Sequence, residues 1–251
     1  MKTDEFAKNF NLYRTENWND NSAGKYIRLF RRFLFWASDR NLLNTIEFPA
    51  CLALPKDNEP TLFALTQIEL STIENLDLTD RPSLDRVRDL FLISTFTGLR
   101  YSDVSRIGKE HIGAKEILLS VKKTGESVRC PIHPRLRIVL DKYAPDYDFP
   151  KISGQKANMH LKTMATIAGI TDRMEIVTWK NGKKSTEVKS KNEVISWHCA
   201  RRTFITLSLI LGANQAAVQA VSGHKKDSKS FNKYVLFASS QVDDAINSAW
   251  K

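Results

Sequence analysis

A chain of 251 residues with 42% hydrophobic and 26% charged side chains has the make-up of a folded globular protein, which excludes disordered and fibrous classes and suits one large domain or two unequal ones. The 38 Lys and Arg against 28 Asp and Glu leave a formal charge of +10 and a pI near 9.5, a balance that favours a polyanionic partner, nucleic acid foremost, through release of condensed counterions. No apolar run approaches the roughly 18 residues that span a bilayer, Met1 to Glu5 do not open a signal peptide, and Cys51, Cys130 and Cys199 form no zinc-spaced cluster, so the expectation is a cytoplasmic protein with reduced thiols, no metal and no membrane partner.

A short helix is predicted over Thr3 to Arg14. A second follows over Asn21 to Leu43, where Tyr26, Leu29, Phe30, Phe33, Trp36 and Ala37 recur at helical spacing between Lys25, Arg28, Arg31, Arg32 and Arg40. Asp20, Asn21 or Ser22 is its candidate cap. Two such helices make a meagre core. Phe48 to Pro60 carries three prolines and no periodicity, so backbone hydrogen bonding cannot propagate and a linker is predicted, dividing the chain into domains at 1–57 and 58–251. Beyond it helical patterns run over Thr66 to Leu76, Ser83 to Thr97, Ser102 to Ile107, Pro134 to Tyr143, Gln155 to Gly169, from Ser196 to Ala220, and over Ser240 to Trp250. Two hairpins interrupt them: Glu116 to Pro131, turning at Thr124-Gly125-Glu126, and Met174 to Ser196, turning at Asn181-Gly182. The fold class is therefore mainly α (α+β), a small helical domain followed by a larger helical one decorated with antiparallel β-hairpins.

Arg100 at a helix entrance, Lys123 in a hairpin, His198 and Arg201 three residues apart, His224 and Tyr234 together suggest phosphate chemistry. Displacement at a phosphodiester builds negative charge on nonbridging oxygens, and guanidinium forks match that geometry without losing their charge. If His198 begins a helix, Arg201 lies about one turn further on nearly the same face, and both can converge on one phosphate. An isolated H-x-x-R pair is explained as well by a helix N-terminus with surface charges.

The ordered set is more specific. Thr97-Gly98-Leu99-Arg100-Tyr101-Ser102-Asp103, Lys123-Thr124-Gly125, His198-Cys199-Ala200-Arg201-Arg202-Thr203-Phe204, Ser222-Gly223-His224 and Tyr234 resemble, in order and spacing, the signature of the tyrosine recombinase (phage integrase) family. Ser222 departs from the leucine or threonine usual at its position, and Lys122 competes with Lys123 for the role of catalytic lysine. The resemblance covers roughly Thr61 to Lys251, with mobile-element integrases the nearest type.

That resemblance implies a site-specific DNA strand-transferase. Tyr234 would attack the scissile phosphate to give a 3′-phosphotyrosyl intermediate and a free 5′-hydroxyl, with no cofactor, metal or ATP. Arg100 and Arg201 would hold the phosphate, His198 and His224 would hydrogen-bond it, His198 would exchange a proton with the tyrosine, and Lys123 would protonate the departing 5′-oxygen. Asp103 would brace the arginine, although a helix-cap aspartate fits it equally. Arg202 is read as a DNA-backbone or structural contact, Tyr101 as packing, and His133 and His160 as structural.

The first domain would be a SAM-like helical core-binding domain, short for the family and so expected to be truncated. Arg28, Arg31 and Arg32 there, with Lys180, Lys183 and Lys184 of the second hairpin beside Lys189 and Lys191, would grip the duplex; a merely solvated hairpin explains the lysines as well. The implied partners are double-stranded DNA recombination sites and three further copies in a tetramer on DNA, from a protein monomeric in solution and nucleoid-associated when bound, with an accessory DNA-bending protein that the sequence does not specify. The amphipathic C-terminal segment, with Val242, Ala245, Ile246 and Trp250, would dock on a neighbour or on its own domain. Alternatives are a DNA-relaxing enzyme of the type IB topoisomerase kind and a DNA-binding relative without catalysis.

Overall fold

Helix starts in this chain are written locally. The Asn19 side chain accepts the Ser22 amide at 2.9 Å and starts α2 (Asp20–Ser38) one residue ahead of the candidate caps, after α1 (Thr3–Asn17). Thr66 and Glu69 close a reciprocal capping box on α3 (Gln67–Glu74). The computed structural model describes residues 3–42, 52–59, 61–122, 125–225 and 228–249. After α3 come α4 (Pro82–Thr97), α5 (Tyr101–Val104), the hairpin β1 (Glu116–Ser120) and β2 (Ser127–Pro131), α6 (Pro134–Asp141), α7 (Gly154–Ile167), the hairpin β3 (Arg173–Lys180) and β4 (Lys183–Ser190), α8 (Lys191–Val194), α9 (His198–Ile210), α10 (Gln215–Val221) and α11 (Lys229–Ala249). The mainly α class with two small antiparallel sheets is as expected from the pattern.

By packing the chain forms two compact units, Met1–Thr61 with Met174–Lys189, and Leu62–Arg173 with Ser190–Lys251. The second hairpin, which the linear division places in the later domain, thus packs with the N-terminal helices. Three ties account for this. Both oxygens of the buried Asp20 carboxylate accept backbone amides of the hairpin turn, Asn181 at 2.8 Å and Gly182 at 2.9 Å. Lys180 Nζ donates to the Glu16 carbonyl at 2.9 Å. At the base, Thr61 Oγ1 donates to the Glu175 carbonyl and accepts the Val177 amide.

In this first unit Ile27 and Leu52 are buried among Phe10, Phe30 and Leu34, and Trp18 stacks on Tyr26 at 4.5 Å. The apolar stripe read along α2 only partly coincides with its packed face: Phe30 and Ala37 pack inward with Ala23, Gly24 and Ile27, while Leu29 and Phe33 stay more than half exposed. Small residues admit the closer backbone approach, a preference that apolar periodicity does not register.

In the second unit α4 is the central element. Every residue from Asp89 to Thr97 is buried, and α6, α7 and α9 pack around it. The β1–β2 hairpin pairs Glu116 with Pro131 through Ser120 with Ser127, and its alternation sends Ile117, Leu119, Val128 and Cys130 inward. α11 runs unbroken from Lys229 and packs along α9, so the terminal helix begins earlier than Ser240 and contains Tyr234. Cys130 and Cys199 are buried free thiols, both pushed up to about 12 by burial, as expected of packed cysteines; Cys51 lies outside the described residues. Among the described residues no helix is long and apolar enough to cross a membrane.

Candidate active site

The first arginine motif is a helix end followed at once by a helix start. Gly98 closes α4 in the left-handed conformation at φ 68°, and two residues later Arg100 occupies the N-cap position of α5. Only glycine suits this reversal. A Cβ on Gly98 would sit 2.9 Å from Cε1 and 3.0 Å from Cγ of Phe204, with Cδ1 nearer still. Phe204 closes the second motif, and Thr203 beside it accepts the Leu65 amide at 2.9 Å, so residues of the motif that follow Arg201 also seat α9. The start of α9 has no side-chain cap. It is fixed by Trp197, edge-on to Phe91 at 5.7 Å and to Tyr101 at 4.8 Å, with its amide donated to Asn158 Oδ1 at 2.7 Å. Tyr101, whose hydroxyl donates to the Ile152 carbonyl, is a packing residue.

Arg201 emerges from this frame only 2% exposed. Nη1 donates to the Gly98 carbonyl at 2.9 Å, tying the two arginine motifs together, while Nη2 lies 3.1 and 3.2 Å from Nδ1 and Nε2 of His224. Among the described residues no carboxylate lies within ion-pair distance of it. Burial, then the charge of Arg100, lower its pKa to about 10, which still leaves it fully charged at neutral pH. His224 is pushed down to about 3 by burial, then by Arg201, Arg100 and His198. His198, exposed at the start of α9, is pushed down to about 4 by partial desolvation of its ring, then by Arg202, Arg201 and Arg100. Both rings are therefore neutral at pH 7. A buried guanidinium beside a second arginine, with the Asp103 carboxylate acting on it only from beyond ion-pair distance, is an arrangement that an anion completes, because incompletely compensated buried charge is costly.

Tyr234 enters from α11, 7% exposed, its ring centroid 6.1 Å from that of His224 and packed with Ile205, Val218 and Phe231. The charge coupling between Arg201 and the Tyr234 phenol places the hydroxyl in the same electrostatic neighbourhood. The structure thus gathers Arg100, His198, Arg201, His224 and Tyr234, drawn from α5, α9, the turn after α10, and α11. Lys123 lies outside the described residues. Its neighbour Lys122 is exposed, and the Lys122 amide is donated to Asp103 Oδ1 at 2.9 Å. Asp103, 1% exposed, also takes Arg106 Nη2 at 3.1 Å, so its described hydrogen bonds hold the β1–β2 turn and Arg106; its Oδ2 is buried without a hydrogen-bond partner among the described residues.

The basic residues read as DNA contacts have varied surroundings. Arg28 pairs with Asp57 at 3.3 Å, Arg32 lines an apolar hollow with Tyr26, Leu29, Phe33 and Trp36, Arg31 is half-buried, and Lys180 is the hairpin anchor described above. Lys183 and Lys184 are exposed on β4, Lys189 pairs with Glu187, Lys191 is bound between Glu69 and Asp172, and Arg202 is half-buried on α9. His133 caps α6 through Nδ1 and packs on Phe96, a structural role; burial depresses its pKa. Sequence reasoning missed Trp197, Asn158 and Asp20, and gave Ser222 no role beyond its departure from the family pattern. Among the described residues no group of three or more His, Cys, Asp or Glu is placed to hold a metal.

No family model matches the chain, and no curated protein matches it. Solved structures do. Lambda integrase (75–356), as a dimer bound to a COC′ core site, superposes with a TM-score of 0.67 at 17% identity, over 94% of this chain and 80% of that one. Lambda integrase as a tetramer bound to a Holliday junction gives 0.66 at 17% identity over 93% of this chain, which spans 64% of the length of that protein. The Tn1549 transposon integrase (82–397) in complex with circular intermediate DNA gives 0.62 at 14% identity, over 93% and 80%. The chain has the fold of these tyrosine recombinases.

Proposed function

We propose that this chain is a site-specific tyrosine recombinase that cuts and rejoins duplex DNA through a phosphotyrosine at Tyr234. The observation that carries the reading is the anion-seeking cluster around Arg201: a buried guanidinium with no carboxylate within ion-pair distance among the described residues, flanked by Arg100 and two neutral histidines, with a phenol beside it. In this reading the phosphodiester's nonbridging oxygens supply direct counter-charge to the pair, with Arg201 and Arg100 binding them most strongly as charge builds at phosphorus. The Tyr234 oxygen forms a bond to phosphorus as its proton passes to His198, a neutral ring able to accept it. The bond from phosphorus to the 5′-oxygen breaks, and that oxygen takes a proton from Lys123. The phosphotyrosyl bond retains the free energy of the broken ester, so the reverse attack by a 5′-hydroxyl rejoins the strand without ATP.

The motif order supports this assignment residue by residue, and the fold match supports it at the level of architecture. The lambda integrase tetramer on a Holliday junction favours strand exchange by four copies over relaxation by one. The first unit would act as the core-binding domain, with Arg28, Arg31, Arg32, Lys183, Lys184 and Arg202 as its and its partner unit's phosphate contacts; such contacts fix position, not sequence. The test is covalent capture from a randomised pool of nicked, labelled duplexes on a denaturing gel. Wild-type protein should give a slow-migrating adduct and Tyr234→Phe none. An adduct that persists in Tyr234→Phe, or a wild-type protein that captures nothing while still binding DNA, overturns the reading.

A further inference from the structure

Ser222 stands where the recombinase signature carries leucine or threonine, and the structure gives its hydroxyl three polar neighbours at once. It is 2% exposed at the end of α10, where Gly223, at φ 61°, turns the chain back and the His224 amide returns to the Gln219 carbonyl at 3.0 Å. This reversal lays the His224 ring over Ser222. The Ser222 Oγ lies 2.7 Å from the Val218 carbonyl, 3.2 Å from the Gln219 carbonyl and 2.8 Å from His224 Nδ1.

A hydroxyl has one hydrogen, and a carbonyl oxygen can only accept. The two carbonyls therefore claim the Ser222 proton. If Oγ donated to Nδ1 instead, its lone pairs would face the Val218 carbonyl oxygen at 2.7 Å and the Gln219 carbonyl oxygen at 3.2 Å with no hydrogen between, a repulsive contact in a buried site. The remaining possibility is that Nδ1 carries the hydrogen and Oγ accepts it. Arg201 does not choose between the tautomers, because its Nη2 lies 3.1 Å from Nδ1 and 3.2 Å from Nε2; the direction of the hydrogen is set on the Ser222 side. We propose that Ser222 is a positioning residue that fixes the tautomer of His224, with Nδ1–H donated to Ser222 and the Nε2 lone pair left facing Arg201 and the site.

The consequence rests on the function proposed above. A His224 held in this form cannot donate from Nε2 to a phosphate oxygen until Nε2 takes up a proton. Docking of a phosphodiester is then linked to uptake of one proton at this ring, which the incoming negative charge promotes and which vacant, arginine-lined surroundings oppose. An alanine at 222 would release the ring to the opposite tautomer, a ready donor, and uncouple the two events. Threonine, with its hydroxyl, would not.

Nitrogen-15 spectra of histidine-labelled protein without DNA at pH 7 read the tautomer directly, with His224→Gln identifying the signal. Wild type and Ser222→Thr should show His224 Nδ1 as the protonated, pyrrole-type nitrogen and Nε2 as the pyridine-type one. Ser222→Ala should lose that pattern to the reverse assignment or a mixture. A wild-type His224 protonated on Nε2, or an Nδ1–H form unchanged in Ser222→Ala, overturns the proposal. Because the reading needs no DNA, it fails or stands separately from covalent capture by Tyr234.

Discussion

Gly98→Ala attacks the joint between the two arginine motifs. The new methyl carbon would lie 2.9 Å and 3.0 Å from ring carbons of Phe204 in a buried corner, on a residue at φ 68°. The left-handed backbone costs an alanine about 1–2 kcal/mol, and forcing the ring aside costs about 1–3 kcal/mol, so a loss of roughly 2–5 kcal/mol is expected. Equilibrium urea unfolding of Gly98→Ala, Phe204→Leu and the double variant separates the two parts. The smaller side chain should return the steric share and leave the backbone share, a coupling of about 1–3 kcal/mol between neighbours. Because the Gly98 carbonyl receives Arg201 Nη1 at 2.9 Å, cleavage should fall with stability in the single variant. A loss below about 1 kcal/mol, or single-variant effects that simply add, would refute the reasoning that α4 and α9 are locked at this glycine.

Arg201→Lys should keep a cation yet cut single-turnover cleavage by about a hundredfold or more, since one ammonium cannot hold the Gly98 carbonyl and a phosphate together; cleavage within tenfold of wild type would contradict this. Desolvation and the neighbouring arginines push His198 down to about 4 and His224 down to about 3, below the unfolded value near 6.5, so the unfolded chain gains protons first as pH falls. Their contribution to stability is complete above about pH 6.5 and is lost toward pH 4. His224→Gln should flatten the fall in urea midpoint over that window, and an identical slope would count against the depressed ring. Asp20→Ala removes two hydrogen bonds to a carboxylate, each worth about 1.5–3 kcal/mol, and should speed amide exchange at Asn181 and Gly182 at least tenfold; unchanged exchange would show that the hairpin turn is held by other contacts.

Much of this candidate site was legible because the chemistry proposed for it calls for residue types that few other purposes combine. Arg100, His198, Arg201, His224 and Tyr234 could be picked out by order and spacing alone, and the turn at Asn181-Gly182 by its need for positive φ, 54° and 72°. What periodicity could not supply was partnership across long separations. Asp20 reads as a helix-start aspartate, but its carboxylate serves amides 161 and 162 residues away. Trp197 reads as a core aromatic, but it sets where α9 begins. Of the stripe Tyr26, Leu29, Phe30, Phe33, Trp36 and Ala37, packing uses Phe30 and Ala37 and adds the small residues Ala23 and Gly24, while Leu29 and Phe33 stay more than half exposed. Ser222 counted as a departure from a pattern until its three neighbours fixed the direction of its hydrogen.

The central claim concerns one oxygen atom. Trypsin cutting after Lys233 yields the peptide Tyr234–Lys251 with a single tyrosine, so the covalent protein–DNA species, once captured and nuclease-trimmed, can be mapped by mass spectrometry without ambiguity. The account predicts a nucleotide joined through its 3′-phosphate to Tyr234. A nucleotide on any other residue, or joined through its 5′-phosphate, would contradict it.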